Sequence, residues 1–351
     1  MLLSFLYVTC VRPYHDMRIL PASLAAFMAV SISSEPLISS TMFLKPLYLP
    51  RYLDLCHRPD YKGRQAKRLY CPHARDEIMR GYIAVLRPLN CLMAGFAVFI
   101  GARIAASNVS GAGLLLAVAA AFLICGAGNT VNDYFDYDID RVNRPYRPLP
   151  SGLITRGGAH RYALLLFTAG VALSAFINLP AMLLALFNTA LLYLYGAAIK
   201  REGGFTKNLT VSYLVASPFL FGGLVAENPR PTLLLVFIAL LINTAREIVK
   251  DIEDYEGDAS VLETLPVKYG FKASGAIAMI LLAATILLSP LPYTMGFAGF
   301  LYTPFIVAGD ILLLRSMKDL LRSPAEKASS AQRHIKKAML LALIGFFVGS
   351  L

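Results

Sequence analysis

Long apolar runs alternate with short polar connections over most of this chain. From residue 82 onward, nine of these runs approach the length of about 20 residues that a helix needs to cross a bilayer. The predicted spans are residues 83–106, 112–134, 158–178, 180–199, 209–227, 231–250, 273–290, 295–315 and 336–351. The pattern predicts an all-α, polytopic membrane protein whose helices surround a central cavity open to the cytoplasm and to lipid.

The composition agrees with a membrane protein and argues against a soluble domain. Of the 351 residues 57% are hydrophobic, the mean hydropathy is +0.59, and only 16% are charged. A soluble domain carries about 25% charged residues. The net charge of +11 is concentrated in the connections between apolar runs. This placement favours contact with anionic lipid over nucleic-acid binding, and it implies no protein partner.

The basic connections alternate with connections that carry almost no Lys or Arg. Basic residues follow the second, fourth, sixth and eighth spans, and Arg230 is the exception among the other connections. The positive-inside rule places the basic connections, and Arg80 and Arg87 before and within the first span, in the cytoplasm. The pattern predicts a multi-pass protein of the cell membrane with its C-terminus outside.

The first 78 residues differ from the remainder. Their one apolar stretch, about residues 19–32, is short for a membrane span, and a basic stretch follows at 51–75. We interpret residues 1–78 as a non-catalytic N-terminal extension, with the natural start at or near Met79, and residues 79–351 as the functional membrane domain. The five cysteines have no framework spacing, so no disulfide scaffold is predicted. Cys56-His57 and Cys71-Pro-His73 fit no common zinc motif.

Two acidic runs at the cytoplasmic ends of predicted spans are the strongest functional signal. The residues that would share one face of a continuing helix are Asn132, Asp136 and Asp140 in the first run and Glu247, Asp251, Asp254 and Asp258 in the second. Carboxylates at the edge of a bilayer are costly without a cation or partner. Magnesium bridges carboxylates to phosphates, so the two rows predict an Mg²⁺ site for a phosphorylated substrate. The alternative is that these are solvated loop residues.

Basic and amide side chains accompany both acidic runs. The candidate substrate-binding residues are Arg87, Asn90, Arg144, Arg147, Lys200, Lys207, Arg246 and Lys250. Lys and Arg suit phosphate oxygens, and a departing diphosphate needs cations beyond magnesium. For most of these residues, membrane orientation or snorkelling is the simpler alternative.

These residues give the chain a resemblance to the UbiA superfamily of intramembrane prenyltransferases. The first run matches the Asn-Asp-x-x-Asp-x-x-x-Asp pattern from Asn132 to Asp140, and the second matches Asp-x-x-Asp-x-x-x-Asp from Asp251 to Asp258. Tyr195 to Lys200 resembles a looser Tyr/Lys motif with one residue more than the usual spacing. Residues 246–258 are most similar to archaeal digeranylgeranylglyceryl phosphate synthases.

The resemblance implies transfer of a geranylgeranyl group from a prenyl diphosphate to a lipid-like acceptor, geranylgeranylglyceryl phosphate. It implies Mg²⁺ held by Asn132, Asp136, Asp251 and Asp254. It also implies a surrounding shell completed by the catalytic candidates Asp133, Asp140, Glu247 and Asp258. We expect Arg144 or Arg147 to bind the acceptor phosphate. Two alternatives remain: an aromatic acceptor such as 4-hydroxybenzoate, and a cation-coupled transporter, which would carry such carboxylates near the bilayer midplane.

Overall fold

The computed structural model describes residues 72–106, 108–258 and 263–350, and within these ranges the regular structure is helical, without strands. The helices are α1 Pro72–Leu86, α2 Pro88–Ala105, α3 Gly111–Phe135, α4 Tyr137–Asn143, α5 Arg156–Ala175, α6 Leu179–Leu194, a π-helix Tyr195–Ile199, α7 Lys200–Glu202, α8 Gly204–Val225, α9 Arg230–Glu253, α10 Tyr255–Asp258, α11 Leu265–Leu288, α12 Leu291–Thr294, α13 Tyr302–Arg322 and α14 Pro324–Gly349. The all-α prediction is confirmed. The 1–78 extension lies almost entirely outside the described residues.

Six helical segments of the described chain are long and apolar enough to cross a membrane. They are Pro88–Ala105, Gly111–Phe135, Leu179–Glu202, Gly204–Val225, Arg230–Glu253 and Leu265–Thr294. The protein is therefore a multi-pass membrane protein, as predicted. The three other predicted spans coincide with the more polar helices α5, α13 and α14, so the number of nine spans stays a prediction. The central cavity also stays a prediction.

Short polar residues fix where several helices begin. The side chains of Ser110, Thr155 and Asn178 accept hydrogen bonds from the backbone N–H three residues later, at 3.4, 3.1 and 2.8 Å. Such caps satisfy N–H groups that have no partner within the helix. The helix starts therefore follow from local sequence, which is why the predicted boundaries at 112, 158 and 180 lie close to the observed ones.

The predicted first span, 83–106, is two helices because the chain breaks at Arg87. This residue has a left-handed backbone (φ 52°), and Pro88 begins α2. The Leu86 carbonyl accepts hydrogen bonds from Asn129 Nδ2 at 2.8 Å and Cys91 Sγ at 3.2 Å, so the broken end is satisfied. A second break occurs at Gly270 (φ 77°) within α11, three residues before the predicted span of 273–290.

Two groups of helices build the two largest apolar cores, and a third core joins α2 to α9, α13 and α14. One core packs α3, α5 and α6 against α2 and α8, with Val131, Phe167 and Ala185 buried within it. The other packs α9, α11, α13 and α14 around Ile248 and Leu282. Helix α8 contacts both α2 and α9 and so joins the groups. Its beginning therefore lies beside the end of α9, where the second acidic run is located.

Helices α2 and α8 approach each other closely through two glycines. A Cβ atom on Gly101 would overlap the carbonyl oxygen of Phe219, and one on Gly222 would overlap the carbonyl oxygen of Val98 and lie 2.6 Å from the Ala102 nitrogen. These neighbours are backbone atoms, which cannot rotate away. The contact therefore requires glycine at both positions.

We predict that Gly222→Ala lowers the free energy of unfolding by about 1–3 kcal/mol, because α2 and α8 must separate to admit the methyl group. Gly157→Ala is the matched control, since a Cβ there meets nothing within 4 Å. Unfolding of both variants by denaturant titration in detergent micelles measures the effect. Equal stability of Gly222→Ala and the wild type would contradict the close packing.

Candidate active site

Asp133, near the end of α3, is the centre of the first charged cluster. It is 3% exposed, and it forms ion pairs with Arg87 and, at 3.2 Å, with Arg147 Nη1. Arg147 Nη1 also lies 2.5 Å from Asp140 Oδ2. The break at Arg87 and the loop after α4 therefore both deliver a guanidinium to α3. The cluster contains two carboxylates and two guanidinium groups, so its charges balance.

A lysine connects the other two predicted residues of the first run. Lys200 Nζ lies 2.5 Å from Asp136 Oδ2 and 3.3 Å from Asn132 Oδ1, and Asn132 Nδ2 donates to Asp136 Oδ2 at 2.9 Å. All three side chains are half-buried. One side-chain oxygen of each predicted magnesium ligand of the first run thus contacts the same ammonium group.

Asp251 on α9 is held by two consecutive residues of α8. Lys207 Nζ lies 2.7 Å from Oδ1, and Asn208 Nδ2 donates to Oδ2 at 2.9 Å. Asp251 is 2% exposed, Lys207 8% and Asn208 fully buried. The amide oxygen of Asn208 is buried without a hydrogen-bond partner. A buried acceptor beside a carboxylate is unusual, because such groups are normally satisfied.

A chain of buried hydrogen bonds extends from Asp251 along the α8–α9 contact. Ser212 Oγ donates to the backbone carbonyl oxygen of Asn208 at 2.6 Å, and Asn243 Nδ2 donates to Ser212 Oγ at 3.1 Å. Arg246 Nε in turn donates to Asn243 Oδ1 at 3.1 Å and pairs with Glu247. Each residue in this chain holds the next, so Asp251 and Glu247 have fixed orientations.

The remaining predicted site residues are Lys250, Asp254, Arg144, Asn90 and Asp258. Lys250 Nζ is 3.4 Å from Asp254 Oδ2, and both side chains are nearly half exposed. Arg144 is exposed, and Asn90 is half-buried in the first turn of α2. The backbone of Asp258 belongs to α10, but its side chain lies outside the described residues.

The expectation that each run forms one row on a continuing helix is wrong. Helix α3 ends at Phe135 and α9 ends at Glu253, so Asp136 and Asp254 occupy the C-cap positions. Asp140, expected beside Asn132 and Asp136, instead shares Arg147 with Asp133. The cause is the local turn after each helix, which changes the direction of the following carboxylates.

The π-helix Tyr195–Ile199 lies between the two runs. It packs against both α3 and α8, and the Tyr195 phenol is close enough to Asp136, Glu247 and Asp251 to interact with their charges. In an α-helix, residues five apart point about 140° away from each other. The wider π turn, in which the Lys200 N–H contacts the Tyr195 carbonyl, returns them to one face. This turn absorbs the additional residue of the Tyr/Lys motif.

Sequence reasoning missed Asn208 and Ser212, and it also missed the aromatic cluster of Tyr134, Phe135, His160 and Tyr193. The polar spacing of four along the apolar α8 was the available signal for the first two, because it places them on one face. In the aromatic cluster His160 stacks on Tyr134, and its Nε2 lies 3.1 Å from the Tyr193 hydroxyl. No local spacing indicates this cluster, because its members come from three helices.

The donor atoms fit magnesium in kind. Magnesium prefers oxygen ligands, and a carboxylate and an amide oxygen converge on Lys200, while a carboxylate oxygen contacts Lys207. The unpartnered Asn208 oxygen beside Asp251 is a further acceptor for a cation. Within the described part of the chain, no three His, Cys, Asp or Glu side chains are close enough together to hold a metal ion. Lys and Arg pair with the carboxylates instead.

Comparison with known proteins identifies the family. A profile of the UbiA prenyltransferase family matches residues 94–344, which is more than half of the chain. The chain belongs to the UbiA prenyltransferase family. The predicted resemblance is confirmed, and family membership favours an enzyme over the ion-transport alternative.

Curated and solved relatives are similar to this chain over most of its length. The digeranylgeranylglyceryl phosphate synthase of Methanopyrus kandleri is 41% identical over 275 residues, which cover 78% of this chain and 100% of that protein. A solved structure described as giving insights into digeranylgeranylglyceryl phosphate synthase in membranes is 38% identical and covers 78% of this chain and 99% of its own, with a TM-score of 0.70. A UbiA homologue from Archaeoglobus fulgidus bound to GPP and Mg²⁺ shares the fold at 20% identity, a TM-score of 0.54, and coverage of 77% and 100%.

We predict that Arg147→Leu destabilises this UbiA-family protein by about 3 kcal/mol, because Asp140 and Asp133 remain buried with one cation fewer. Glu263→Gln removes an exposed pair, Lys268 Nζ to Glu263 Oε2 at 2.8 Å, and should not change stability measurably. Chemical unfolding of both variants in micelles provides the comparison. Similar stability of the two variants would show that the Arg147 pairs are not required.

Proposed function

We propose that the protein transfers a geranylgeranyl group from geranylgeranyl diphosphate to geranylgeranylglyceryl phosphate, a step of archaeal ether-lipid synthesis, in an Mg²⁺-dependent reaction. The observation that carries the proposal is that Lys200 pairs with the first acidic run and Lys207 with the second, while the π-helix just before Lys200 packs against both α3 and α8 of a UbiA-family chain. A relative 41% identical over its whole length has this synthase name.

The basic residues supply the contacts that a diphosphate requires. Lys200 directly follows the π-helix, and Lys207 lies in the first turn of α8. Phosphate oxygens are well matched by ammonium and guanidinium groups, and fixed cations stabilise charge that develops on a leaving group. We assign Lys200, Lys207 and Arg246 to the diphosphate of the prenyl donor. Arg144, which is exposed, is available for the phosphate of the acceptor.

Asn132, Asp136, Asp251 and Asp254 would hold Mg²⁺, with Asp133, Asp140, Glu247 and Asp258 supporting them. When bound, the metal supplies Lewis-acid stabilisation of the leaving diphosphate. The A. fulgidus homologue with bound GPP and Mg²⁺ supports this cofactor. Asn208 would keep Asp251 oriented through its bond to Oδ2.

The chain itself would exclude water from the allylic carbon. The aromatic cluster adjoins Asp133 and Asp136 in sequence, with Phe135 packed edge-on against Tyr193 at 5.5 Å between ring centroids. Aromatic faces offer no nucleophile, and a dry wall limits hydrolysis of a carbocation-like allylic group. The acceptor hydroxyl would then bond to C1 of the prenyl group as the C1–O bond to the diphosphate breaks, and a carboxylate or the diphosphate would accept its proton.

We further propose that the site faces the cytoplasm. The connection between α3 and α5 carries Arg141, Arg144 and Arg147, and it is basic, as the positive-inside rule requires of cytoplasmic loops. Membrane lipids would surround the helices, and the prenyl chains of both substrates would reach the site from the bilayer.

A transfer assay tests the proposed acceptor. Purified protein receives labelled geranylgeranyl diphosphate with Mg²⁺ and either geranylgeranylglyceryl phosphate or 4-hydroxybenzoate. We expect product only with the lipid acceptor and none after removal of divalent metal. Transfer to 4-hydroxybenzoate alone would reverse the assignment in favour of the aromatic acceptor.

In the same assay, Asp136→Ala and Asp251→Ala should each lose about 100-fold or more in turnover. Asp138→Asn, in the same run but with a side chain 77% exposed, should behave as the wild type.

We predict that a protein beginning at Met79 keeps most of the transfer activity. The proposed reason is that residues 1–78 take no part in catalysis, since the M. kandleri relative is matched over its full length by 78% of this chain. The measurement is turnover per folded protein, with the full chain as control. A folded but inactive truncated protein would show that the extension contributes to the reaction.

A further inference from the structure

All four residues proposed to bind magnesium are bound to a lysine. Lys200 binds both Asn132 and Asp136, Lys207 binds Asp251, and Lys250 lies by Asp254. Mg²⁺ and a lysine ammonium compete for the same carboxylate oxygens, because both are cations that bind at short range. The lysines thus occupy positions that a metal ion would need.

Of these lysine–carboxylate pairs, the one between Lys207 and Asp251 is the most buried. Lys207 has a side chain only 10% exposed and holds Oδ1, whereas the neutral Asn208 amide holds Oδ2. Displacement of the ammonium would free one oxygen while the other kept its orientation. The displaced charge has little water around it, so it needs a new anion nearby.

We propose that Lys207 and Lys200 are exchangeable counterions that couple metal binding to diphosphate binding. Without substrate, each lysine neutralises a carboxylate. When a magnesium diphosphate binds, the metal takes the carboxylate oxygens and the ammonium groups move to the diphosphate oxygens, so every charge stays paired. A bare divalent cation provides no anion for the lysines and adds charge beside them. This inference rests on the proposed function, since it assumes that these carboxylates bind metal.

Coupling of this kind is a measurable binding free energy. The full-length protein is dialysed against Mn²⁺ at fixed free concentrations, with and without inorganic pyrophosphate, and protein-bound Mn²⁺ is measured. In the wild type, pyrophosphate should raise the Mn²⁺ affinity about tenfold or more. In Lys207→Met, Mn²⁺ alone should bind about tenfold more tightly than in the wild type, and pyrophosphate should add little.

Lys268→Met is the matched control. It also removes a lysine from a carboxylate, Glu263 at 2.8 Å, but outside the site, and it should bind Mn²⁺ as the wild type does. Lys207→Gln keeps a hydrogen-bond donor and removes only the charge, so it replaces Lys207→Met if that protein does not fold. Lys200→Gln, at a side chain 30% exposed, gives the same test at the first run.

Two results would overturn the inference in distinguishable ways. If Asp251→Ala loses Mn²⁺ but the lysine variants bind Mn²⁺ alone no more tightly than the wild type, the metal site is correct and the exchange is wrong. If Asp251→Ala keeps the wild-type Mn²⁺ affinity in both conditions, the metal assignment itself fails. A second readout is thermal stability, which Mn²⁺ alone should raise more in Lys207→Met than in the wild type at the same free Mn²⁺ concentration.

Discussion

A carboxylate buried within an apolar bundle must be paired with a cation, and this constraint shapes the polar end of the molecule. Asp133 draws together Arg87 from the break before α2 and Arg147 from the loop after α4, while Asp251 ties α9 to α8 through Lys207. Buried pairs of this kind contribute little net stability, because desolvation offsets attraction, but removing one partner is strongly destabilising. These buried ion pairs therefore determine which helix ends lie together, and they contribute less to holding the bundle together. The apolar cores do the latter.

Hydropathy predicted the helices well where apolar length and polar ends are both local features. The spans expected at 112–134 and 231–250 are the helices Gly111–Phe135 and Arg230–Glu253. At the C-terminus the helix begins at Pro324, twelve residues before the predicted span of 336–351. Charged residues in that first part lower the hydropathy, yet Ala328, Ala331 and Ile335 are buried at helical spacing and pack on the neighbouring helices. An amphipathic face is stabilised by tertiary contact, which an apolar window does not measure.

The composition of the candidate site was predictable, but its pairing was not. Spacing identified the acidic runs and the accompanying cations, because charged residues next to a long apolar segment are easily recognised in the sequence. Which cation meets which carboxylate depends on where each helix ends. Asp140 follows a turn, so it meets Arg147 and not the face that carries Asn132. Asn208 is uncharged and lies within an apolar helix, so its role at Asp251 emerges only from the contact between α8 and α9.

The π turn at Tyr195 packs against both α3 and α8 and so connects helices of different parts of the bundle at this end. An additional residue in an α-helix would rotate Lys200 about 100° away from Asp136. One wide turn accommodates that residue with less favourable backbone hydrogen bonds. It keeps Lys200 paired with Asp136 of the first acidic run, while Tyr195 interacts with carboxylates of both runs. Gly196 permits the arrangement, because a Cβ there would lie 2.9 Å from the Phe135 ring. Helices α3 and α9 belong to different apolar cores. A substrate bound between the two acidic runs, as proposed, would therefore contact helices of both cores through side chains that this turn orients.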